Sequence, residues 1–194
     1  VNEAVADGVE RLIAGGGDGS LHEMVDALAA IAPAQRPQMG IFPLGTANDF
    51  ATACGISADL VDALTLAVSG TAVPIDMIKA NEKHYINAAT GGFGTEVTAS
   101  TPVELKNFLG GSAYTLTGLI KVLDFVPYQG TLRTVDNTFV SNALVGAICN
   151  GRQAGGGQVL APNAYIDDGL LDIFSIEWFP AGKLLQVIDE ATIP

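Results

Sequence analysis

Three stretches of this sequence set glycine beside a hydroxyl or an acid at close spacing. The first, Gly15-Gly16-Gly17-Asp18-Gly19-Ser20, follows a short apolar run and precedes an amphipathic one. A glycine loop that opens a helix leaves main-chain N–H groups converging at the positive end of the helix dipole, which suits phosphate. The glycines let the backbone come close to a ligand, and Ser20 adds a hydroxyl donor. Asp18 beside such a cradle repels phosphate unless a cation or a hydroxyl-bearing substrate lies between them. Phosphoryl transfer with a metal reconciles the two; the alternative is a tight turn that binds nothing. The loop is not a P-loop, because no Gly-Lys-Ser/Thr follows, nor the dinucleotide fingerprint, because Ser20 stands at the third glycine position.

The second stretch, Pro43-Leu44-Gly45-Thr46-Ala47-Asn48-Asp49, also follows a buried apolar run. Its Gly45, Thr46, Asn48 and Asp49 are expected at the C-terminal edge of the same sheet, where α/β proteins place ligands. Alone it reads as a capped loop, but beside the first loop it becomes far more specific. The third stretch, Tyr165-Ile166-Asp167-Asp168-Gly169-Leu170, puts two acids in one tight turn. It suits either a hard cation, held by one carboxylate and main-chain carbonyls, or a solvated Asp-Gly turn. It is not an EF-hand, lacking that loop's spaced acids and final Glu. Gly155-Gly156-Gly157 contains neither acid nor hydroxyl and reads as a connector or as the border of a cleft between domains. His22 and His84 read as surface residues, and no Ser-His-Asp or Cys-His arrangement is present.

The elements that position these loops follow from hydrophobic spacing. Arg11–Ala14 reads as a short strand, and Leu21, Met24, Val25, Leu28 and Ile31 recur at helical spacing up to Pro33. Met39–Phe42 is a second buried strand, Asn48 or Asp49 caps a short helix, and Ser57 caps Leu60–Val68, which stops at Gly70. Strand and helix alternate, so residues 1–72 are expected to be α/β with a parallel sheet. After Val73 the pattern changes. Ile75–Ala80 and His84–Ala89 flank Asn81-Glu82-Lys83 as a hairpin, and Thr131–Val135 and Thr138–Ile148 flank Asp136-Asn137 as another. Helices are expected over Pro102–Leu109 and Ser112–Phe125, a strand over Leu170–Trp178, and a further helix over Gly182–Thr192. A β-rich second domain with a helical insertion is therefore expected over residues 73–194.

Composition limits the function. The chain has 194 residues, 48% of them hydrophobic and 23 of them glycine, which excludes disorder. Nine Lys and Arg against 21 Asp and Glu give a charge of −12, which argues against a nucleic-acid binder. No apolar run approaches the roughly 18 residues of a membrane span. Val1–Gly8 carries Asn2, Glu3 and Asp7, so no secretory leader is expected there. The chain also opens and closes as a fragment of a longer protein would. Cys54 and Cys149 lie far apart without metal-type spacing, which points to a reducing, cytoplasmic setting.

GGGDGSLHE followed by PLGTANDFA resembles the diacylglycerol kinase catalytic-domain superfamily, and within it the bacterial YegS-like lipid kinases. IDM at Ile75–Met77, INAATGGFGTEVT at Ile86–Thr98 and NGRQAGGGQVLAPNAYIDDGLLDI at Asn150–Ile173 extend the resemblance over essentially the whole chain. It implies an ATP-dependent kinase acting on a hydroxyl of a lipid such as diacylglycerol or a phosphatidylglycerol-like acceptor. It also implies a partial nucleotide-binding domain over 1–72 and a sandwich-like domain over 73–194. The family's first nucleotide loop falls on Gly17, Asp18, Gly19, Ser20, Leu21, His22 and Glu23, with Ser20 replacing the usual Thr. Thr46 matches the nucleotide-contacting Thr of the second loop, and Asp49 an acid near the site. On this resemblance Asp18 and Asp49 position a catalytic metal or the acceptor, and in a full-length protein Asp18→Asn is expected nearly to abolish transfer while leaving the fold intact.

The resemblance further implies a structural Mg²⁺ held by Tyr165, Asp168 and Leu170, the outer two through carbonyl oxygens. A further nucleotide-contacting Thr is expected before Val1, and the catalytic carboxylate, in a Leu-Asp-Gly-Glu-like motif, beyond Pro194. The partner implied is a lipid substrate met transiently at a membrane surface. A charge of −12 opposes landing on anionic lipid. Contact therefore requires apolar segments, for which Leu116–Val126 is either a lipid-access groove or a core helix, or presentation of the lipid by another protein. Two other readings stay open: an NAD-kinase-like enzyme, which shares a GGDG loop but not PLGTAND, and a nucleotide- or metal-binding module without catalysis.

Overall fold

A computed structural model describes residues 1–92, 127–183 and 186 of the chain. In chain order its elements are α1 (Asn2–Ala6), β1 (Arg11–Gly16), α2 (Asp18–Ala29), β2 (Gln38–Pro43), α3 (Asp49–Ala53) and α4 (Leu60–Ser69). Short strands follow: β3 (Ile78–Ala80), β4 (Lys83–Tyr85), β5 (Ala88–Gly92), β6 (Tyr128–Arg133), β7 (Thr138–Cys149), β8 (Gln153–Ala154), β9 (Gln158–Val159) and β10 (Asp172–Glu177). They form two compact units, Val1–Ala89 with Ile148–Asp172, and Thr90–Ala147 with Ile173–Pro194.

The first unit is α/β. β1 and β2 run parallel, in register from Arg11↔Gln38 to Gly16↔Pro43, so both strands end at the same level. α2 makes the crossover between them. Its buried stripe of Leu21, Val25 and Leu28 has the helical spacing that the sequence shows, and Leu21 and Val25 share a core with Ala14, Phe50 and Ile86. α4 lies directly on β2: a Cβ on Gly40 would stand 2.5 Å from the Ala67 carbonyl oxygen, so only glycine permits this approach.

Neither α2 nor α4 carries a basic residue in its last turn, and an arginine from elsewhere serves each C-terminus. Arg36 Nε donates to the carbonyls of Leu28 at 3.0 Å and Ile31 at 2.9 Å, and its Nη2 to that of Ala29 at 3.3 Å. Arg11 Nη2 donates to Gly70 O at 2.8 Å, and Nη1 to Val68 O. A guanidinium there both satisfies orphan carbonyls and opposes the negative end of the helix dipole. Gly70 accordingly has an extended backbone, φ −65° and ψ 156°, and not the left-handed cap expected of a terminal glycine. At the other end of α4 the cap is Asp59, whose carboxylate accepts from Val61 N–H and Asp62 N–H at 2.9 and 3.0 Å. Ser57, the expected cap, instead accepts from Asp59 N–H at 3.1 Å.

The units part at residue 89 and not at 72, and residues 148–172 return to the first unit. Main-chain bonds account for the difference. Asn150 N–H and Gly151 N–H both donate to Asn87 O, at 2.7 and 2.9 Å, and Asp76 N–H donates to Ile166 O at 2.7 Å. A boundary drawn where the texture of the sequence changes cannot register such a return.

The second unit is β-rich. β7 pairs with β5 and β10, and antiparallel with β6 from Tyr128↔Ala143 to Arg133↔Thr138. The expected Asp136-Asn137 turn is closed by Thr134 N–H on Asn137 O at 2.9 Å. The helices expected over Pro102–Leu109 and Ser112–Phe125, and the stretch Leu116–Val126, lie outside the described residues. The helix expected over Gly182–Thr192 opens as a 3-10 turn at Ala181–Lys183, and apart from Gln186 the rest lies outside them too. Among the described residues no helix is long and apolar enough to cross a membrane.

His84, expected as a plain surface residue, joins an ion-pair cluster with α2. The Asp26 carboxylate accepts from Lys83 Nζ at 2.8 Å and from His84 N–H at 3.1 Å, and lies 3.2 Å from His84 Nδ1. The Lys83 ammonium, and after it the His84 ring, hold the Asp26 carboxyl down to about 2 from its ordinary 3.8. A depressed carboxyl stabilises the fold above its unfolded value, and that stabilisation is lost as pH falls through the folded one. Asp26→Asn is therefore expected to lower the melting temperature at about pH 6 and to change it little near pH 2. Melts of both proteins across that range check this, and an equal shift at both ends would exclude Asp26 as the cause.

Candidate functional site

Because β1 and β2 end level, the loops that leave them meet. Leu44 N–H donates to Gly16 O at 2.9 Å, which extends the strand pairing into the loops. Gly17 and Gly45 then touch backbone to backbone. A Cβ on Gly17 would lie 3.1 Å from Gly45 Cα, and one on Gly45 would strike Gly17 Cα and come within 2.8 Å of Asn48 Oδ1. Ser20 folds back over Gly16, where a Cβ would collide with its Oγ. Glycine at these positions is what lets two loops occupy the space of one.

α2 opens at Gly17, which makes no side-chain cap. Its first helical bond runs from Leu21 N–H to Gly17 O at 3.1 Å, so the N–H groups of Asp18, Gly19 and Ser20 have no acceptor within the helix. These three amides are the ones the sequence reading offers to an anion, and Thr46 lies exposed in the loop beside them. The seven residues of the first loop divide here. Gly17, Asp18, Gly19 and Ser20 lie at the strand ends. The Leu21 side chain, only 6% exposed, packs in the core, and its N–H is already used by the helix, so a ligand cannot meet its side chain. His22 and Glu23 are exposed on the body of α2.

Asp18 does not stand free. Its Oδ2 accepts from Asp49 N–H and its Oδ1 from Phe50 N–H, both at 3.1 Å. These are the first amides of α3, so Asp18 caps that helix from a different loop. Asn48, the formal N-cap, cannot do so. It sits at φ 51° and turns its side chain back onto Gly45, accepting from Gly45 N–H at 2.9 Å and donating to Gly45 O at 2.8 Å. Asp49 is buried, with 4% exposure, and its carboxylate accepts from Gly156 N–H at 2.8 Å and Gly157 N–H at 2.6 Å. The third glycine stretch is therefore the tip of the β8–β9 hairpin, paired Ala154↔Gln158, and not a connector. All these residues belong to the first unit.

The acidic turn is held from two sides. Gly169 N–H donates to Asp76 Oδ2 at 2.7 Å, and Leu170 N–H to Asp168 Oδ1 at 2.9 Å. Arg152 Nε donates to Ala164 O at 2.9 Å, while its guanidinium lies 5.1 Å from the centre of the Tyr165 ring. Tyr165 and Leu170 are 58% and 66% exposed. The Asp168 carboxylate and their two carbonyls are all oxygen, the donor type of a hard divalent cation. Asp76 went unassigned in the sequence, where the only signal was its place in IDM. Among the described residues no group of three or more His, Cys, Asp and Glu side chains gathers as a metal cluster.

Comparison with known proteins agrees with this geometry. Residues 1–80 match the family model of the diacylglycerol kinase catalytic domain, and residues 89–192 that of the YegS C-terminal NAD kinase beta sandwich-like domain. The chain belongs to the YegS-like branch of the diacylglycerol kinase superfamily. A "Probable lipid kinase YegS-like" from Shewanella frigidimarina is 55% identical over 98% of this chain, and one from Yersinia enterocolitica is 52% identical over 100% of it. The chain spans 62% of the length of the Shewanella relative and 69% of the Yersinia one. The solved structure of a diacylglycerol kinase from Bacillus anthracis str. Sterne superposes with a TM-score of 0.69 at 26% identity, covering 96% of this chain and 59% of that one. A further structure from the same organism reaches 0.75 at 28% identity, with 97% and 61% covered.

The two site acids also have a structural part: each carboxylate accepts from a pair of main-chain amides and clamps one loop to another. Asp18→Asn therefore cannot leave the loops intact, because its amide nitrogen would face an N–H donor. The substitution is expected to lower stability by roughly 1–3 kcal/mol, the cost of a partly buried donor left without an acceptor. Chemical unfolding of the variant checks this, and unchanged stability would rule out the clamp.

Proposed function

We propose that the complete protein is an ATP-dependent lipid kinase that transfers the γ-phosphoryl group to a hydroxyl of a diacylglycerol or phosphatidylglycerol-like lipid. The observation that carries this reading is the apposition of Gly17 and Gly45 at level strand ends, which makes one cradle of two loops. The names of the relatives, probable lipid kinases, support the same class of acceptor.

In this reading the open amides of Asp18, Gly19 and Ser20 take phosphate oxygens, and the hydroxyls of Ser20 and Thr46 add donors from the two loops. His22 and Glu23 flank the cradle on α2. The Asp168 carboxylate and the Tyr165 and Leu170 carbonyl oxygens would hold a structural Mg²⁺, which would supply rigidity and positive charge to that turn. The lipid hydroxyl oxygen bonds to the γ-phosphorus as the bond from that phosphorus to the β–γ bridging oxygen breaks, and ADP leaves with the electron pair. The hydroxyl proton passes to a carboxylate of the complete protein. The lipid is reached by transient contact at the cytoplasmic face of a membrane.

An assay of the complete protein with labelled ATP, a panel of lipids and NAD tests this. Label is expected in a lipid and not in NAD. Label in NAD alone would replace the reading with a nucleotide kinase. Binding of ATP-Mg²⁺ in calorimetry without label in either would leave a binding module.

A further inference from the structure

Arg152 has no part in either strand-end loop, yet the chain from Leu160 to Tyr165 is built around it. Its main-chain oxygen accepts from Leu160 N–H at 3.0 Å and from Ala161 N–H at 3.1 Å. Its Nε donates to Ala164 O at 2.9 Å, and its guanidinium lies over the Tyr165 ring, 5.1 Å from the centre. Ala161 and Ala164 are both buried, so this segment packs inward while Tyr165 faces out. Arg152 is itself fixed on both sides by one residue. Gly151 N–H donates to Asn87 O at 2.9 Å, and Asn87 Nδ2 donates to Gln153 O at 3.0 Å. All of these residues belong to the first unit.

These contacts bracket a single carbonyl. Ala164 O is taken by Arg152 Nε, and Ile166 O by Asp76 N–H at 2.7 Å. Tyr165 O stands between them, and among the described residues nothing donates to it. It is also an oxygen that the family resemblance offers to a hard cation. Peptide units are planar, so tying the carbonyl on either side limits the direction in which the middle one points. Charge acts the other way. A guanidinium repels a divalent cation, so by charge alone Arg152 disfavours an ion beside Tyr165. A geometric role and an electrostatic one therefore predict opposite signs when Arg152 is removed.

We propose that Arg152 is a positioning residue for a hard divalent cation at the acidic turn. By holding Ala164 O and the Tyr165 ring it aims Tyr165 O, which takes the ion together with Leu170 O and the Asp168 carboxylate. This rests on the cation reading of that turn and adds to it a residue that touches neither the ion nor the lipid. Arg152 then acts on the affinity for the cation through geometry, against its own charge.

The test is Mn²⁺ binding to the full-length protein without nucleotide, read by electron paramagnetic resonance and by competition with Mg²⁺, beside thermal melts in chelator. Arg152→Met is expected to weaken binding of both ions about tenfold, the usual cost of losing a group that orients a ligand. Arg152→Lys keeps the charge but loses the planar fork, and is expected to recover little of that affinity. Tyr165→Leu keeps the carbonyl and loses the ring, and is expected to weaken binding about threefold. Tyr165→Phe keeps the ring and is expected to bind as wild type does. The exposed Tyr165 side chain makes these two variants a guard against loss of the fold. Tighter binding in Arg152→Met would overturn the proposal, because charge would then outweigh geometry. Unchanged affinity with a lower melting temperature in chelator would overturn it too, leaving Arg152 a role in the fold alone. Wild-type protein that binds no Mn²⁺ without nucleotide would remove the cation reading of the turn together with this proposal, while labelled ATP and the lipid panel would still decide the kinase reading.

Discussion

The first unit depends on a carboxylate accepting two main-chain amides at once, made twice over. Loops built of glycine have no side chains by which to pack, so they can be fixed only through the backbone. Asp18 grips the start of α3, and Asp49, the first residue of α3, grips the β8–β9 tip. Each bond involves a charged acceptor and is stronger than a neutral one. The two acids form a chain that runs from the first loop through the second to the third, so disturbance at one is felt at the others.

That chain works only on a scaffold whose strand ends are level. β1 and β2 reach Gly16 and Pro43 together, with α4 against β2 at Gly40 and α2 held at its C-terminus by Arg36. Arg11 and Arg36 contribute by satisfying the C-terminal carbonyls of α4 and α2. Both arginines are remote in sequence or structure from the loops, yet they hold the helices from which the cradle is built.

What the sequence revealed follows the range of the interactions involved. The β1–α2–β2 alternation and the two loops depend on neighbours within a few residues, and their order and type were legible. Ser57 and Asp59 show the limit of such reading: either can cap α4, and the choice rests on which side-chain oxygen faces two amides. Capping of α3 by Asp18 spans 31 residues, and the bond from Gly156 to Asp49 spans 107. No local pattern encodes either. Leu21 failed for another reason, since a motif aligns a position but does not say which way its side chain points. The family resemblance carried the chain's overall class where spacing alone left a bare turn as an alternative.

Asp18 first suggested a metal because a bare acid beside an anion cradle repels phosphate. The geometry removes that premise. With both oxygens bound to amides at the positive end of α3, the negative charge of Asp18 is already balanced locally, and its carboxylate faces the second loop. Phosphate can then approach the α2 amides without a cation to separate it from Asp18. The turn of Asp167 and Asp168 is held differently: Asp76 accepts from Gly169 N–H, Asp168 accepts from Leu170 N–H, and Arg152 lies over the Tyr165 ring.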